Sequence, residues 1–192
     1  FSKKNTNRSV KETSENIKQI LKEAYKKGIK VRGYISCVLG CPYEGEISFK
    51  KTTSLAKFLI EYGCYEVSLG DTVGYGTPLD TKSLIHEVSK KIPSSKIAMH
   101  MHDTYGQALA NIFASLEMGI STFDTSAGGL GGCPYARGAA GNVATEDVLY
   151  MLNGMGIKTG INLKKVLKAT SFIYKILNRD ISSKVANVMI KK

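Results

Sequence analysis

Short apolar or β-branched runs bounded by glycine alternate with helix-period runs along this chain, and that alternation restricts the fold more than any other feature of the sequence. A helix pattern opens with Ser9 and Glu12 spaced as a capping box, carries Ile17, Ile20, Leu21 and Ala24 on one face, and stops at Gly28. Val31 to Val38 then reads as a buried strand. Further helices are expected around Leu55–Tyr62, Leu84–Val88, Leu109–Leu116, Val148–Leu152 and, capped by Asn162, Leu163–Ile173. Strands are expected at Tyr65–Leu69, Ile97–Met101 and Thr122–Ser126. Repeats of about thirty residues with this order imply right-handed βαβ units on a parallel sheet, hence the α/β class.

Each strand is followed by an unusual loop: Gly40-Cys41-Pro42-Tyr43, Gly70-Asp71-Thr72, His102-Asp103-Thr104, and the glycine-rich stretch Gly128 to Cys133. An open sheet usually binds at one crevice, whereas in a (β/α)8 TIM barrel every βα loop rings one site, so the barrel is the expected architecture. Such a barrel typically takes about 250 residues and eight strands. This chain has 192 residues and four recognisable strands, so residues 1–192 are expected to form a single domain, the C-terminal half of a barrel plus a C-terminal helix. The start at Phe1 rather than methionine is expected of either a processed product or a piece of something longer.

The formal net charge is +11, which raises the question of nucleic acid. Residues 1–50 carry net +6 and residues 161–192 net +7, in lysines spread through helical patterns such as Lys18, Lys22, Lys26 and Lys164, Lys165, Lys168. Those are solvated helix faces, and no basic cluster converges with aromatics, so no nucleic-acid partner is expected. No run of about eighteen apolar residues occurs, so no membrane helix is expected, and a soluble intracellular protein is the resulting expectation. The four cysteines are too sparse for a disulfide scaffold and lack zinc-ribbon spacing.

His100 and His102 stand two apart on one strand, so both imidazoles face the same side. Near a barrel mouth they make a metal-ligand pair; in a core they make hydrogen-bonded structural histidines. Oxygen and nitrogen donors without thiolate suit Mn²⁺, Mg²⁺, Fe²⁺ or Zn²⁺ as a Lewis acid. Cys133 ends the glycine-rich loop and is a candidate reactive thiol, while Cys37, Cys41 and Cys64 read as structural. Asp71 and Asp103 are placed to act as a base, as a partner to a metal-bound imidazole, or as a helix cap. Asn142 is placed either to donate a carbonyl oxygen to a metal or to turn the chain.

Taken together, the run Val31 to Cys37 leading into Gly40-Cys41-Pro42-Tyr43-Glu44-Gly45, Ser68-Leu69-Gly70-Asp71-Thr72, His100 through Asn111, and Gly128 through Asn142 closely resemble the 3-hydroxy-3-methylglutaryl-CoA lyase family. The likeness extends from Phe1 to about Lys184. It implies a metal-dependent TIM barrel that cleaves its acyl-CoA substrate to acetoacetate and acetyl-CoA, the lyase step of ketogenesis and leucine degradation. It further implies that His100, His102 and Asn142 bind Mg²⁺ or Mn²⁺, that Cys133 is the active thiol, and that Asp71 is an active-site aspartate. A homodimer, a missing N-terminal half with an arginine–aspartate pair on its first strand, and a mitochondrial-matrix or alternatively cytoplasmic location are implied too. The alternatives are a sister enzyme that condenses acyl-CoA with a 2-oxo acid or acts as an aldolase, and a non-catalytic acyl-CoA-binding fragment.

Overall fold

The computed structural model describes residues 1–132 and 141–190. In chain order the elements are α1 (Ser2–Thr6), α2 (Val10–Lys26), β1 (Val31–Ile35), α3 (Phe49–Glu61), β2 (Cys64–Asp71), α4 (Pro78–Ser89), β3 (Ile97–Met101), α5 (Ala108–Glu117), β4 (Thr122–Asp124), α6 (Thr145–Gly154), α7 (Leu163–Leu177) and α8 (Lys184–Ile190). One turn of 3-10 helix precedes β3 and another, Ala127–Gly129, follows β4.

The starts of α2, α4 and α7 are capped by side chains. At α2 the Ser9 hydroxyl accepts from the Glu12 amide at 3.2 Å while the Ser9 amide donates to the Glu12 carboxylate at 2.7 Å, so two otherwise orphaned donors are satisfied. Thr77 and Asp80 do the same for α4, and the Asn162 side chain caps α7. Gly28, at φ +66°, ends the reversal out of α2 in a conformation that costs other residues more.

The four strands are parallel and lie in the order β1-β2-β3-β4, so the connections run in one direction around an arc. This is the half of an α/β barrel expected from the alternation, with its helices outside. The register aligns Gly70 with His100 and His100 with Asp124, and one row below aligns Tyr34 with Ser68 and Ser68 with Ala98. These residues share the concave face. The opposite face carries Val67, Leu69, Met99 and Met101, each at most 1% exposed, packed with Leu84, Ile85, Val88 and Ile112 from α4 and α5. Met101 thus points away from the histidines on either side of it, as strand alternation requires.

Some bounds differ from expectation. β1 stops at Ile35 because Cys37 takes φ +59°, which no strand accommodates. β4 stops at Asp124 because Ser126 turns its backbone to another segment, donating to Val143 at 3.2 Å and accepting from Thr145 at 2.8 Å. α8 was not anticipated from the sequence; Asp147 of α6 secures it, accepting from the Ser183 hydroxyl at 2.7 Å and the Val185 amide at 2.9 Å. No described helix is long and apolar enough to cross a membrane.

Candidate active site

The concave face is a row of polar side chains. His100 and His102 converge, with their Nε2 atoms 3.2 Å apart. His102 is 6% exposed, and burial together with the neighbouring His100 pushes its pKa down to about 4, so its ring is neutral at physiological pH. Neither Nδ1 has a hydrogen-bond partner among the described residues.

Asp124 lies beside this pair. Its Oδ2 accepts from the Ser68 hydroxyl at 2.6 Å and stands 3.6 Å from His100 Nδ1, while its Oδ1 accepts from Arg32 Nη1 at 2.7 Å. Burial works against the carboxylate, but His100, Ser68 and Arg32 hold it at about 2. Arg32 is also bound through Nε to Glu66 at 2.5 Å and through Nη1 to the Tyr34 hydroxyl, so three of its five N–H groups are engaged on the concave face. The order Glu66–Arg32–Asp124–His100 alternates acid and base across the sheet.

Asn142 reaches the histidines through the backbone. Residues 141–143 run antiparallel to the end of β3: Asp103 donates to Gly141 at 2.9 Å, Val143 donates to Met101 at 3.1 Å, and His102 pairs with Asn142. The Asn142 Nδ2 donates to the Leu130 carbonyl at 2.9 Å, which fixes the amide's orientation.

Asp71 behaves differently. It shares the helix-facing side with Val67 and Leu69, is fully buried, and accepts backbone hydrogen bonds from Tyr75 at 3.0 Å and Gly76 at 2.9 Å. Burial pushes its pKa up, and the loop amides pull against that shift. Its carboxylate shapes the loop between β2 and α4. Asp103 likewise serves α5, accepting from the Ala108 amide at 3.0 Å. Cys133 lies outside the described residues. Cys37, Cys41 and Cys64 are buried.

The histidine pair has the donor chemistry for a divalent cation. Two cis ligands about 2.1 Å from one ion stand about 3.0 Å apart in an octahedron and about 3.4 Å apart in a tetrahedron, and the observed 3.2 Å lies between. Among the described residues no group of three or more His, Cys, Asp or Glu is disposed to hold an ion, so within them a third donor would be a neighbour of another type. Asn142 is such a neighbour.

Residues 1–173 match the HMGL-like family model. The chain belongs to the HMGL-like family. It is 55% identical over 191 residues to the cytoplasmic 3-hydroxy-3-methylglutaryl-CoA lyase of Rattus norvegicus, covering all of this chain and 56% of that protein. It is also 55% identical to the mitochondrial hydroxymethylglutaryl-CoA lyase of Bos taurus, covering 100% of this chain and 59% of that one. The crystal structure of hydroxymethylglutaryl-CoA lyase from Pseudomonas aeruginosa superposes with a TM-score of 0.97 at 49% identity, over 100% of this chain and 64% of that chain. The chain therefore spans little more than half the length of its curated relatives.

Within this HMGL-like half-barrel, sequence reasoning did not single out Arg32, Glu66, Ser68, Asp124 or Glu146 as functional residues. A signal was present: Arg32 and Glu66 are charges inside strands otherwise built for burial, which is rare without a partner. Who the partner is depends on the register.

Proposed function

We propose that this chain is the C-terminal part of a 3-hydroxy-3-methylglutaryl-CoA lyase barrel, cleaving that substrate to acetoacetate and acetyl-CoA. The observation that carries the reading is the convergence of the His100 and His102 Nε2 atoms at the C-terminal end of β3, in a chain 55% identical to lyases of that name.

His100, His102 and Asn142 are the residues that would hold Mg²⁺ or Mn²⁺, which when bound supplies Lewis-acid polarisation of the substrate's oxygens. The low pKa of His102 keeps its nitrogen lone pair available at neutral pH. Asp124, held ionised by Arg32 and Ser68, faces His100 Nδ1 and favours the tautomer that directs Nε2 into the site. In the cleavage a base removes the tertiary hydroxyl proton, the carbon–carbon bond breaks, and its electron pair passes to the departing thioester as an enolate. Cys133 is the thiol that returns a proton to that carbon. Asp71 holds the β2–α4 loop through the Tyr75 and Gly76 amides, and its part in the site is to place that wall of the mouth.

An acyl-CoA substrate, a homodimer and four further strands supplied by an upstream half complete this reading. So does a place in ketogenesis and leucine degradation. The mitochondrial matrix is the proposed compartment, with the cytoplasm as the alternative, since relatives of both kinds are equally similar. The decisive experiment is an assay of the full-length protein with 3-hydroxy-3-methylglutaryl-CoA, with and without Mn²⁺ after chelation. Metal-dependent release of acetoacetate and acetyl-CoA is expected. Turnover only with 2-oxo acids and acetyl-CoA would overturn the assignment in favour of a condensing enzyme.

A further inference from the structure

Glu146 is fully buried in the first turn of α6, and among the described residues no lysine or arginine pairs with it. Its carboxylate accepts instead from the Gly128 amide, at 2.9 and 3.1 Å, and from the Thr170 hydroxyl of α7. The Tyr174 hydroxyl, one turn further along α7, donates to the Gly128 carbonyl at 2.7 Å. Both backbone groups of Gly128 are thus held by side chains from two outer helices. A Cβ there would lie 2.4 Å from the Tyr174 ring and 2.8 Å from Thr170, and Gly128 is at φ +62°, so no other residue fits. Burying a carboxylate against neutral donors is costly compared with an apolar contact of the same shape, which points to a requirement other than stability.

Gly128 is the middle of the tight turn Ala127–Gly129, and the turn ends by presenting the Leu130 carbonyl to two donors. One is the Ser126 hydroxyl at 2.5 Å; the other is the Asn142 Nδ2 at 2.9 Å. The same turn is joined to the start of α6 through the backbone, where Thr145 donates to Ser126 at 2.8 Å. A continuous path therefore runs from Thr170 and Tyr174 through Glu146 and Gly128 to Leu130, and from Leu130 to the Asn142 amide beside His102.

We infer that Glu146, Thr170 and Tyr174 are positioning residues: by clamping Gly128 they set the Leu130 carbonyl that orients Asn142, and so α7 tunes the cation affinity of a site it does not touch. The inference rests on the reading of Asn142 as a ligand. If Leu130 moves, Asn142 loses the acceptor that holds its amide nitrogen, and the direction of its oxygen is no longer fixed.

The test titrates the full-length protein with Mn²⁺, reading free ion by electron paramagnetic resonance, alongside thermal unfolding. Tyr174→Phe removes one oxygen and keeps the ring; Thr170→Val removes the donor at constant shape. The double variant is expected to bind Mn²⁺ about tenfold more weakly, in the range typical of groups that orient ligands, with KM at saturating Mn²⁺ within about twofold. Thr170→Ser is expected to retain parental affinity. Added to Asn142→Ala, the double variant is expected to weaken binding no further, because both act through one group. A double variant that unfolds earlier but binds Mn²⁺ normally, or whose effect adds to that of Asn142→Ala, overturns the clamp while leaving the ligand assignment intact. If Asn142→Ala alone binds Mn²⁺ normally, the ligand assignment fails and the clamp's role fails with it.

Discussion

Arg32 on the first strand of the sheet donates to Asp124 on the last at 2.7 Å. Parallel strands spaced at about 4.8 Å would put β1 and β4 about 14 Å apart in a flat sheet, beyond the joint reach of these two side chains. The contact exists because the arc curls toward its concave face, as a barrel wall must. The same ion pair ties curvature to chemistry, since Asp124 also faces His100 at 3.6 Å.

Arg32→Gln should therefore act on both stability and the site. Arg32, Glu66 and Asp124 side chains are 16%, 13% and 22% exposed, so removing the cation leaves two poorly hydrated carboxylates facing each other. A loss of about 2–4 kcal/mol is expected, toward the lower part of the range for broken buried pairs because some solvent reaches the group. Urea unfolding of the full-length protein measures it, and a loss below about 0.5 kcal/mol would show the pair to be ornamental to stability.

Chelation followed by Mn²⁺ or Mg²⁺ addition should abolish and then restore lyase turnover. His100→Ala and His102→Ala should each remove most metal-dependent activity with little change in circular dichroism, since a mouth site is seldom a stability element. Normal turnover of the double variant at limiting Mn²⁺ would remove the histidines from the site.

Cys133→Ser should lower kcat by about 10² to 10⁴, the span general acid catalysis usually supplies, because a hydroxyl is a far weaker acid than a thiol. KM should change little where it reports binding. Cys41→Ser, at a buried thiol in the similar Gly40-Cys41-Pro42-Tyr43 loop, should be mild. Equal losses at both positions would mean that neither thiol transfers a proton.

Cys64 offers a test of burial that is independent of catalysis. Burial raises its pKa above the ordinary thiol value, so at pH 8 it is protonated as well as enclosed. It should resist disulfide reagents in the native protein and react promptly in denaturant, as followed by peptide mapping. Rapid native modification would mean that the helix-facing core opens there.

The 192-residue chain by itself should show negligible cleavage. A four-stranded arc has two unpaired edges and an incompletely enclosed concave face, and the proposed ligand set is two imidazoles and an amide with no further carboxylate ligand among the described residues. Loss of one electrostatic group commonly costs about 10² to 10³ in rate. Recovery on adding the four-strand complement is expected. Turnover of the isolated chain within tenfold of the full-length protein would contradict this.

Period and punctuation were enough to determine α2 to α7, the parallel strands and the placing of His100 with His102 on one face, because a strand alternates whatever surrounds it, whereas α8 depends on Asp147 of α6. The capping boxes are equally local, since Ser9 needs only Glu12. Other relationships depended on distance in space. That Asp71 turns to the helices and the loop amides, that Asn142 pairs with His102 forty residues away, and that Arg32 meets Asp124 all follow from strand register and sheet curvature. Those are set by how Leu69, Met99 and Ile112 pack on the outer face, a cooperative result of many weak contacts that no short stretch of sequence contains.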